Sequence, residues 1–323
     1  MQRGAKVYVA GHTGLAGSAI QRALERAGHT NLVLRTHAEL ELTDGRAVAG
    51  FFERERPEYV FLAAAKVGGI LANETYPADF IRGNLAVQLN VIHEAWRGGV
   101  KRLLFLGSSC IYPRDCPQPI KEEYLLSGPL EPTNRAYALA KIAGVENCWS
   151  YNRQHGTKFL AVMPTNLYGP GDHYDLKTSH VLPALIRKIH EARQKGESTV
   201  TLWGSGRPRR EFLLSDDMAE ACVFLMQLLD PEFGRLVAPA QSPLINVGAG
   251  DDQSIAELAI LVADVIGHRC EFVYDATKPD GTPRKLLDSS RISELGWKPG
   301  STLRQGIALA YQDFLRRFPA RAA

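Results

Sequence analysis

A glycine-rich turn near the start of the chain constrains the fold more than any other feature of the sequence. The apolar run Lys6–Ala10 predicts a buried strand, and apolar residues recur at helical spacing over Gly14–Ala27. Between these elements the chain reads Gly11-His12-Thr13-Gly14-Leu15-Ala16-Gly17. Glycines at such a place permit a tight turn and let the N–H groups of the helix N-terminus approach a pyrophosphate. All seven residues are therefore predicted to contact a dinucleotide cofactor, although a plain strand-to-helix turn also favours glycine.

Strand and helix patterns alternate through the first half of the chain. The predicted strands are Asn31–Arg35, Tyr59–Ala65, Arg102–Gly107 and Phe159–Met163, and the predicted helices are Thr43–Arg56, Ala86–Arg97 and Ala136–His155. Apolar strands separated by helices are typical of a parallel sheet covered on both faces. The predicted fold class is α/β: a Rossmann-type doubly wound parallel sheet with a smaller C-terminal α/β substrate-binding lobe.

The alternation loosens after about residue 166, where prolines and glycines become more frequent. A strand at Leu244–Val247 and a helix at Asp217–Leu228 can still belong to the main sheet. We therefore expect a cofactor-binding domain formed by residues 1–170 plus about 215–249. Residues 171–214 plus 250–323 are expected to form the substrate-binding lobe.

The overall charge and the cysteines exclude several classes of partner. A net charge of +3 is too small to predict binding to nucleic acid or to a membrane surface. The five cysteines are scattered and form no CxxC pair, which argues against a disulfide framework and against a metal site. No stretch approaches the roughly 18 apolar residues of a membrane span. We expect a cytoplasmic protein with no nucleic-acid, membrane or metal partner.

The end of the second predicted strand bears on the choice of cofactor. It reads Leu34-Arg35-Thr36-His37, where an acidic residue would receive the ribose 2′-OH and indicate NAD. A cation instead suits a 2′-phosphate through charge-assisted hydrogen bonds, and a solvated surface arginine is the alternative. NADP(H) is therefore the predicted cofactor, with Arg35 and His37 among its contacts.

Tyr137 and Lys141 stand four positions apart at the start of a predicted helix, so both project from one face. An ammonium near a phenol favours the phenolate, so the pKa of Tyr137 is expected to fall below its reference of about 10. That tyrosine would be a usable proton donor for a carbonyl that is being reduced. Ser108 follows the fourth strand at the carboxyl edge of the sheet, where it can hydrogen-bond the same carbonyl. Ser108, Tyr137 and Lys141 are the predicted catalytic set.

The same tyrosine–lysine spacing occurs a second time, at Tyr274 and Lys278. Pro279 follows directly and disfavours a helix at this place. The second copy is therefore interpreted as accidental.

Further distinctive segments occur along the chain. They are Ala63-Ala64-Ala65-Lys66-Val67-Gly68-Gly69-Ile70, Gly107-Ser108-Ser109-Cys110-Ile111-Tyr112-Pro113, Glu131-Pro132-Thr133, Met163-Pro164-Thr165-Asn166-Leu167-Tyr168-Gly169-Pro170, Ser179-His180-Val181-Leu182-Pro183-Ala184-Leu185, Trp203-Gly204-Ser205-Gly206, Arg209-Arg210-Glu211-Phe212 and Lys278-Pro279-Asp280-Gly281-Thr282-Pro283-Arg284-Lys285. In this order they resemble the extended short-chain dehydrogenases/reductases over nearly the whole length, and within them the branch that forms GDP-L-fucose.

The resemblance implies further site residues. The implied cofactor contacts are Leu106, Gly107, Ser108, Ser109, Lys141, Pro164, Thr165, Asn166, Leu167 and His180. The implied substrate contacts are Lys188, Trp203, Arg210 and Asp280. Cations suit a diphosphate and an indole offers an aromatic face, but each residue taken singly would be an ordinary surface or core residue. A homodimer formed through helices near Ala86–Arg97 and Ala136–His155 is also expected from the resemblance.

Enzymes of this branch act on GDP-4-keto-6-deoxy-D-mannose, invert C3 and C5, and reduce C4 with NADPH. The resemblance makes Cys110 and His180 the candidate proton-exchanging pair, and a thiol and an imidazole both exchange protons near neutrality. Cys110 follows Ser108 by two positions, so it would face the same pocket if strand geometry persists. From the sequence alone, a small buried hydrophobic cysteine is an equal alternative.

Two points leave alternatives open. Relatives often carry basic residues at the positions of Thr13 and His37, so the preference for NADP over NAD is expected to be softer here. A nucleotide-sugar 4,6-dehydratase would carry an acidic pair where Ser109-Cys110 stands, and a 4-epimerase would keep NAD and return its hydride. A catalytically silent dinucleotide sensor on the same fold would commonly lose the tyrosine or lysine that this chain keeps.

Overall fold

The computed structural model describes residues 1–176, 178–278 and 280–319. The strands are β1 (Val7–Ala10), β2 (Leu32–Val33), β3 (Tyr59–Leu62), β4 (Arg102–Leu106), β5 (Phe159–Pro164), β6 (Asn166–Tyr168), β7 (Thr199–Trp203), β8 (Arg209–Leu214), β9 (Leu244–Val247), β10 (Asp252–Ser254), β11 (Glu271–Asp275) and β12 (Arg284–Lys285). The helices are α1 (Leu15–Arg26), α2 (Gly45–Glu55), α3 (Ile70–Thr75), α4 (Pro77–Arg97), α5 (Arg135–His155), α6 (Val181–Lys195), α7 (Ser215–Gln227), α8 (Asp230–Leu236), α9 (Ile255–Ile266), α10 (Ser290–Glu294) and α11 (Leu303–Arg317).

The central sheet has the strand order β2-β1-β3-β4-β5-β9, and every neighbouring pair is parallel. Side chains alternate between its two faces: Val7 and Val9 enter one hydrophobic core, whereas Tyr8 and Ala10 enter the other. Helices α1 and α7 pack together over the first face, and α2, α4 and α5 cover the second. The predicted α/β class with a doubly wound parallel sheet is confirmed.

Several predicted elements differ from the structure in their bounds, including a strand and a helix of the central part. The strand expected at Asn31–Arg35 is reduced to β2, which lies at the sheet edge and pairs with β1. The helix expected at Ala86–Arg97 begins at Pro77, nine residues earlier. Proline suits the first turn of a helix, because the backbone N–H that proline lacks would have no partner within the helix there. The side chains of Phe80 and Asn84, in the added turns, are buried.

A second sheet lies after β5 in the chain. Strand β8 is its centre and pairs with β6 and β12 in parallel and with β10 in antiparallel orientation, while β7 and β11 form a separate parallel pair. Helices α6, α9 and α11 pack over these strands around a third hydrophobic core. The predicted strand Leu244–Val247 is β9 and pairs with β5 in the central sheet, and the helix expected at Asp217–Leu228 is α7.

Glu211 of β8 links the second sheet to the first. Its side chain is fully buried and accepts hydrogen bonds from the backbone N–H of Gly250 (2.8 Å) and of Leu287 (3.0 Å). Its carbonyl oxygen accepts from Thr165 Oγ1 (3.2 Å) and Asn166 Nδ2 (2.8 Å), which directly follow β5. Burial raises the pKa of the Glu211 carboxyl group, and these donors oppose the shift. One residue therefore fixes β8 against the ends of β5, β9 and β12.

Replacement of Glu211 by alanine is predicted to lower the free energy of unfolding by roughly 3 kcal/mol, because two buried N–H groups lose their acceptor. The matched control is Glu220→Ala, which removes an exposed ion pair with Arg26 and should cost less than about 1 kcal/mol. Urea denaturation followed by circular dichroism compares the two variants. Equal losses would contradict the role given to Glu211.

Candidate active site

The strand order of the central sheet reverses between β1 and β3, which is where ligands of open α/β sheets bind. The turn after β1 approaches the chain after β3 closely. A Cβ atom at Gly11, whose φ is +86°, would lie 2.7 Å from the backbone of Ala64, and one at Gly17 would lie 2.0 Å from the Gly11 oxygen. Among the described residues, no side chain caps α1 at Gly14, and Nδ1 of His12 is buried without a hydrogen-bond partner. The N-terminus of α1 is therefore open to an anion.

Both basic residues predicted to meet a 2′-phosphate are paired with carboxylates. Arg35 Nη2 donates to Glu55 Oε1 at 2.6 Å, and its guanidinium lies 5.9 Å from the centre of the Phe51 ring. His37 is 88% exposed, with Nε2 at 2.7 Å from Glu41 Oε2. A bound phosphate would compete with these carboxylates for the two side chains.

Ser108, Tyr137 and Lys141 lie together at the carboxyl end of β4. Ser108 follows that strand, and α5 begins two residues before Tyr137. Lys141 Nζ donates to the carbonyl oxygen of Leu106 at 2.8 Å and lies 5.8 Å from the centre of the Tyr137 ring. The structure thus brings together the three residues that the sequence predicted as a catalytic set.

Burial dominates the electrostatics of this set. It raises the pKa of Tyr137 above its ordinary value; the neighbouring Cys110 adds to the rise, and a hydrogen bond from Ser108 opposes it. Burial also lowers the pKa of Lys141 to about 7. The expectation that the pKa of Tyr137 falls below its reference is therefore wrong, because burial and the neighbouring Cys110 raise this pKa more than the Ser108 hydrogen bond lowers it. A phenol that keeps its proton can give it to a developing alkoxide.

Cys110 lies in a 3₁₀ turn, Ser109–Ile111, and not in a strand. The expectation that strand geometry persists to this residue is wrong, because β4 ends at Leu106. The turn still places Cys110 beside the catalytic set, since its N–H donates to Ser108 Oγ at 3.3 Å.

Two polar groups that the sequence reasoning did not assign meet the Cys110 sulfur. Asn134 Nδ2 lies 3.2 Å from Sγ, and Lys285 Nζ lies 3.8 Å from it. They stand 24 and 175 positions from Cys110 in the chain, so no local spacing could have indicated them. Lys285 does end one of the segments that carry the family resemblance.

His180 directly precedes α6, in a segment that packs on the loop after β3. The backbone N–H of Gly69 donates to the Thr178 oxygen at 3.2 Å. The imidazole is exposed, yet surrounding protein atoms lower the pKa of His180, and the nearby His173 lowers it further. Within the described residues, no hydrogen bond joins its ring to Cys110.

The implied substrate contacts cluster at the ends of β7 and β8. Trp203 is 49% exposed, and Lys188 Nζ lies 4.9 Å from its ring centre. A Cβ atom at Gly204, the next residue, would lie 2.4 Å from Asp280 Oδ1. Arg210 Nη2 donates to the Asp280 carbonyl oxygen at 3.5 Å. All four residues therefore line one region.

The second tyrosine–lysine pair is not helical, as expected, because Tyr274 lies in β11. Pro279, on which that expectation depended, lies outside the described residues. Lys278 has a different environment from Lys141: its Nζ lies 5.4 Å from the centre of the Trp203 ring. It is a cation beside the implied substrate contacts that the sequence reasoning missed.

The remaining implied cofactor contacts follow the strands of the central sheet. Pro164 ends β5 and Leu167 lies in β6. The side chains of Thr165 and Asn166 bind the Glu211 carbonyl oxygen, so they also hold the two sheets together.

Comparison with known proteins gives consistent matches. The NAD dependent epimerase/dehydratase family matches residues 7–235. GDP-L-fucose synthase 1 of Arabidopsis thaliana is 55% identical over 97% of this chain and 94% of its own length. GDP-L-fucose synthase of Escherichia coli (strain K12) is 54% identical over 96% of each chain. A GDP-mannoheptose C4 reductase from Campylobacter jejuni, solved with NADP bound, has a TM-score of 0.88 and 42% identity over 97% of this chain and 99% of that one.

These matches agree with the cofactor turn, the serine–tyrosine–lysine set and the cysteine beside it. The chain belongs to the NAD dependent epimerase/dehydratase family and, within it, to the GDP-L-fucose synthases.

Proposed function

We propose that this enzyme converts GDP-4-keto-6-deoxy-D-mannose to GDP-L-fucose by epimerisation at C3 and C5 and NADPH-dependent reduction at C4. The observation that carries the proposal is the meeting of Ser108, Tyr137 and Lys141 with Cys110 at the carboxyl end of β4. Reduction needs the first three residues, and epimerisation needs an additional proton-exchanging group. Relatives named GDP-L-fucose synthase, 54–55% identical over nearly the whole chain, support this choice of reaction.

The described residues fit NADP(H). The close backbone approach at Gly11 and Gly17, the uncapped N-terminus of α1 and the unpartnered His12 Nδ1 suit a pyrophosphate. Arg35 and His37 would hold the 2′-phosphate. The other residues that would line the cofactor are Leu106, Gly107, Ser108, Ser109, Lys141, Pro164, Thr165, Asn166, Leu167 and His180. When bound, NADPH supplies the hydride that reduces C4.

Tyr137 supplies the proton for the reduction. Burial holds its phenol in the protonated form, and an alkoxide that develops at C4 is basic enough to take the proton. Ser108 hydrogen-bonds the same oxygen and orients the ketone. Lys141 is anchored by the Leu106 carbonyl oxygen, which keeps the ammonium near the phenol as the proton leaves.

Cys110 and His180 exchange protons with the sugar ring. The 4-keto group acidifies the protons on C3 and C5, because each carbanion is stabilised as an enolate. One group removes a proton and the other returns a proton from the opposite face. The lowered pKa of His180 makes its imidazolium form a stronger acid, so a ring that has taken a proton from solvent gives that proton readily to an enolate.

Lys188, Trp203, Arg210 and Asp280 bind the GDP portion. The cations at Lys188 and Arg210 suit the diphosphate, and the half-exposed indole offers a stacking surface. The Asp280 carboxylate accepts from the N–H (2.7 Å) and hydroxyl (2.8 Å) of Ser205, which fixes its loop beside Arg210.

The proposed roles divide the chain into a cofactor-binding part and a substrate-binding part. Residues 1–170 plus about 215–249 bind the cofactor, and residues 171–214 plus 250–323, as far as they are described, bind the sugar nucleotide.

We also propose a homodimer through α4 and α5, on which Leu89 and Leu139 are 51% and 39% exposed. In the described part of the chain, no helix is both long and apolar enough to cross a membrane. All five cysteines are free thiols, which suits a location in the cytoplasm.

The proposed reaction is tested with purified protein, NADPH and GDP-4-keto-6-deoxy-D-mannose, by following NADPH absorbance and identifying the product sugar by NMR. Oxidation of NADPH with an L-fucose product is the expected result. Oxidation with an unepimerised product would leave a C4 reductase and remove the epimerase function. Conversion without net NADPH oxidation would indicate a 4-epimerase instead.

Tyr137→Phe is predicted to lower kcat for reduction by about a hundredfold or more, because the proton donor is lost. Solvent deuterium should still enter C3 and C5, since epimerisation uses other groups. The matched control is Tyr151→Phe on the same helix, whose hydroxyl bonds His93 at 2.7 Å away from the site. Near-normal turnover of the Tyr137 variant would remove this residue from the mechanism.

Thr13→Arg is predicted to tighten NADPH relative to NADH by about tenfold, the size of one charge-assisted hydrogen bond. Thr13 is exposed in the cofactor turn, so an arginine can be accommodated there. Thr13→Gln, which adds length without charge, is the control. Dissociation constants for both cofactors give the ratio, and an unchanged ratio would place the 2′-phosphate elsewhere.

Gly17→Ala is predicted to raise the Kd for NADPH by about tenfold or more, because the added methyl group displaces the turn that holds the pyrophosphate. The control is Gly234→Ala in α8, where an added Cβ meets no atom within 4 Å. NADPH fluorescence titration measures both. A Gly17 variant that binds NADPH normally would show that the close packing of this turn is dispensable.

A further inference from the structure

The Cys110 sulfur lies between two hydrogen-bond donors that come from distant parts of the chain. Asn134 Nδ2, at the start of α5, is 3.2 Å away, and Lys285 Nζ, in β12, is 3.8 Å away. A cation near a cysteine stabilises the thiolate relative to the thiol, and an N–H donor does the same. We propose that Lys285 and Asn134 are positioning residues that hold Cys110 as the thiolate which exchanges protons with the sugar. This inference rests on the proposed role of Cys110 in epimerisation.

The charges around Cys110 favour this assignment. Arg210 of β8 is close enough to interact electrostatically with the sulfur, and so is the Tyr137 phenol of α5. In the parts of the chain that the structure describes, no carboxylate pairs with Lys285. The ammonium charge is therefore not neutralised by an acid, and the thiol is its hydrogen-bond partner.

The conformation of Asn134 points to the same role. An asparagine before a helix commonly caps it by accepting from a backbone N–H, but the Asn134 side chain makes no such bond. Instead Nδ2 reaches the sulfur, and Oδ1 is buried without a hydrogen-bond partner in the part of the chain that the structure describes. The missing cap hydrogen bond and the unpaired Oδ1 both lower the stability of the fold. The hydrogen bond from Nδ2 to the Cys110 sulfur is the interaction that this side-chain conformation provides.

The amide of Asn134 suits a residue that changes its protonation state. With Nδ2 towards the sulfur it donates to a thiolate; rotated by half a turn, it presents Oδ1 to accept from a thiol S–H. During epimerisation the thiolate removes a proton from the carbon next to the ketone and becomes a thiol, and the enolate left behind takes a proton on its opposite face from His180. Loss of the thiol proton to solvent restores the thiolate, and His180 regains a proton from solvent. The Asn134 side chain can therefore hydrogen-bond both the thiolate and the thiol of Cys110 without movement of the backbone.

The other cysteines provide an internal comparison. Burial raises the pKa of Cys148 and of Cys222, and both thiols lie in hydrophobic cores. Partial burial also raises the pKa of Cys116 and of Cys270. We expect Cys110 to react with an alkylating reagent at lower pH than these four.

The test measures alkylation of the full-length protein by iodoacetamide as a function of pH, with each cysteine peptide quantified by mass spectrometry. Lys285→Met should slow modification of Cys110 at pH 7 by about tenfold and move its pH profile upward, because the nearby cation is lost. Lys285→Arg should largely restore the reactivity. Lys298→Met, which removes an exposed lysine elsewhere, is the matched control. Asn134→Ala should slow modification too, and it gives an independent result if a Lys285 variant fails to fold.

An unchanged Cys110 profile in both Lys285→Met and Asn134→Ala would overturn the proposal. So would a rise in the KM for GDP-4-keto-6-deoxy-D-mannose with unaltered alkylation, because Lys285 would then serve the substrate phosphates. Entry of solvent deuterium into the substrate without NADPH provides the second readout, and Lys285→Met should slow it by about tenfold.

The same exchange assay on Cys110→Ser separates the two proposals. Normal exchange in that variant would remove Cys110 from epimerisation, whatever the alkylation shows. Slow exchange in Cys110→Ser together with unchanged alkylation in the Lys285 and Asn134 variants would instead leave the role of Cys110 standing and reject its two positioning residues.

Discussion

Parallel pairing of the strands in the central sheet is the constraint on which the rest of the structure depends. It buries both faces of the sheet, so helices must cover each face, and it brings the carboxyl ends of β1, β3, β4 and β5 to one edge. The glycine turn, Ser108 and Thr165 meet there for that reason. Helix α5 then adds Tyr137 and Lys141 to the same edge, so a cofactor and a ketone can be held side by side.

The second constraint is the attachment of the smaller sheet. Glu211 fixes β8 to the ends of β5, β9 and β12 through four hydrogen bonds of its side chain and carbonyl oxygen. This attachment positions Arg210 and Lys285 near Cys110, which follows a strand of the central sheet. The environment of the cysteine thus depends on both sheets, whereas the Tyr137–Lys141 pair depends on the central sheet and one helix.

Desolvation dominates the charge states of Tyr137 and Lys141. It shifts Tyr137 and Lys141 towards their neutral forms, which leaves a protonated phenol ready to serve the ketone. Cys110 differs because two donors and a nearby guanidinium contribute to its surroundings. Within one cleft, burial thus keeps the Tyr137 phenol protonated, whereas the Cys110 sulfur has hydrogen-bond donors from α5 and β12 beside it.

The alternating elements, the cofactor turn and the Ser108–Tyr137–Lys141 set could all be predicted from the sequence alone. These features depend on local spacing, on strand and helix periodicity, and on residues that follow strands of one sheet. The early start of α4 was not predicted, although Pro77 is a local signal for a helix start, and the 3₁₀ turn at Cys110 was not predicted either. Resemblance supplied His180 and the residues proposed to bind GDP.

Only the tertiary structure decided which groups surround Cys110, because Asn134 and Lys285 are far from it in the chain and meet it through packing of α5 and β12. It also decided that Arg35 and His37 are each paired with a carboxylate. The direction of the Tyr137 pKa shift was decided in the same way, since burial is a property of the whole fold. A sequence pattern predicts which chemical groups are available, and their charge states depend on the neighbours and the solvent exposure that the fold gives them.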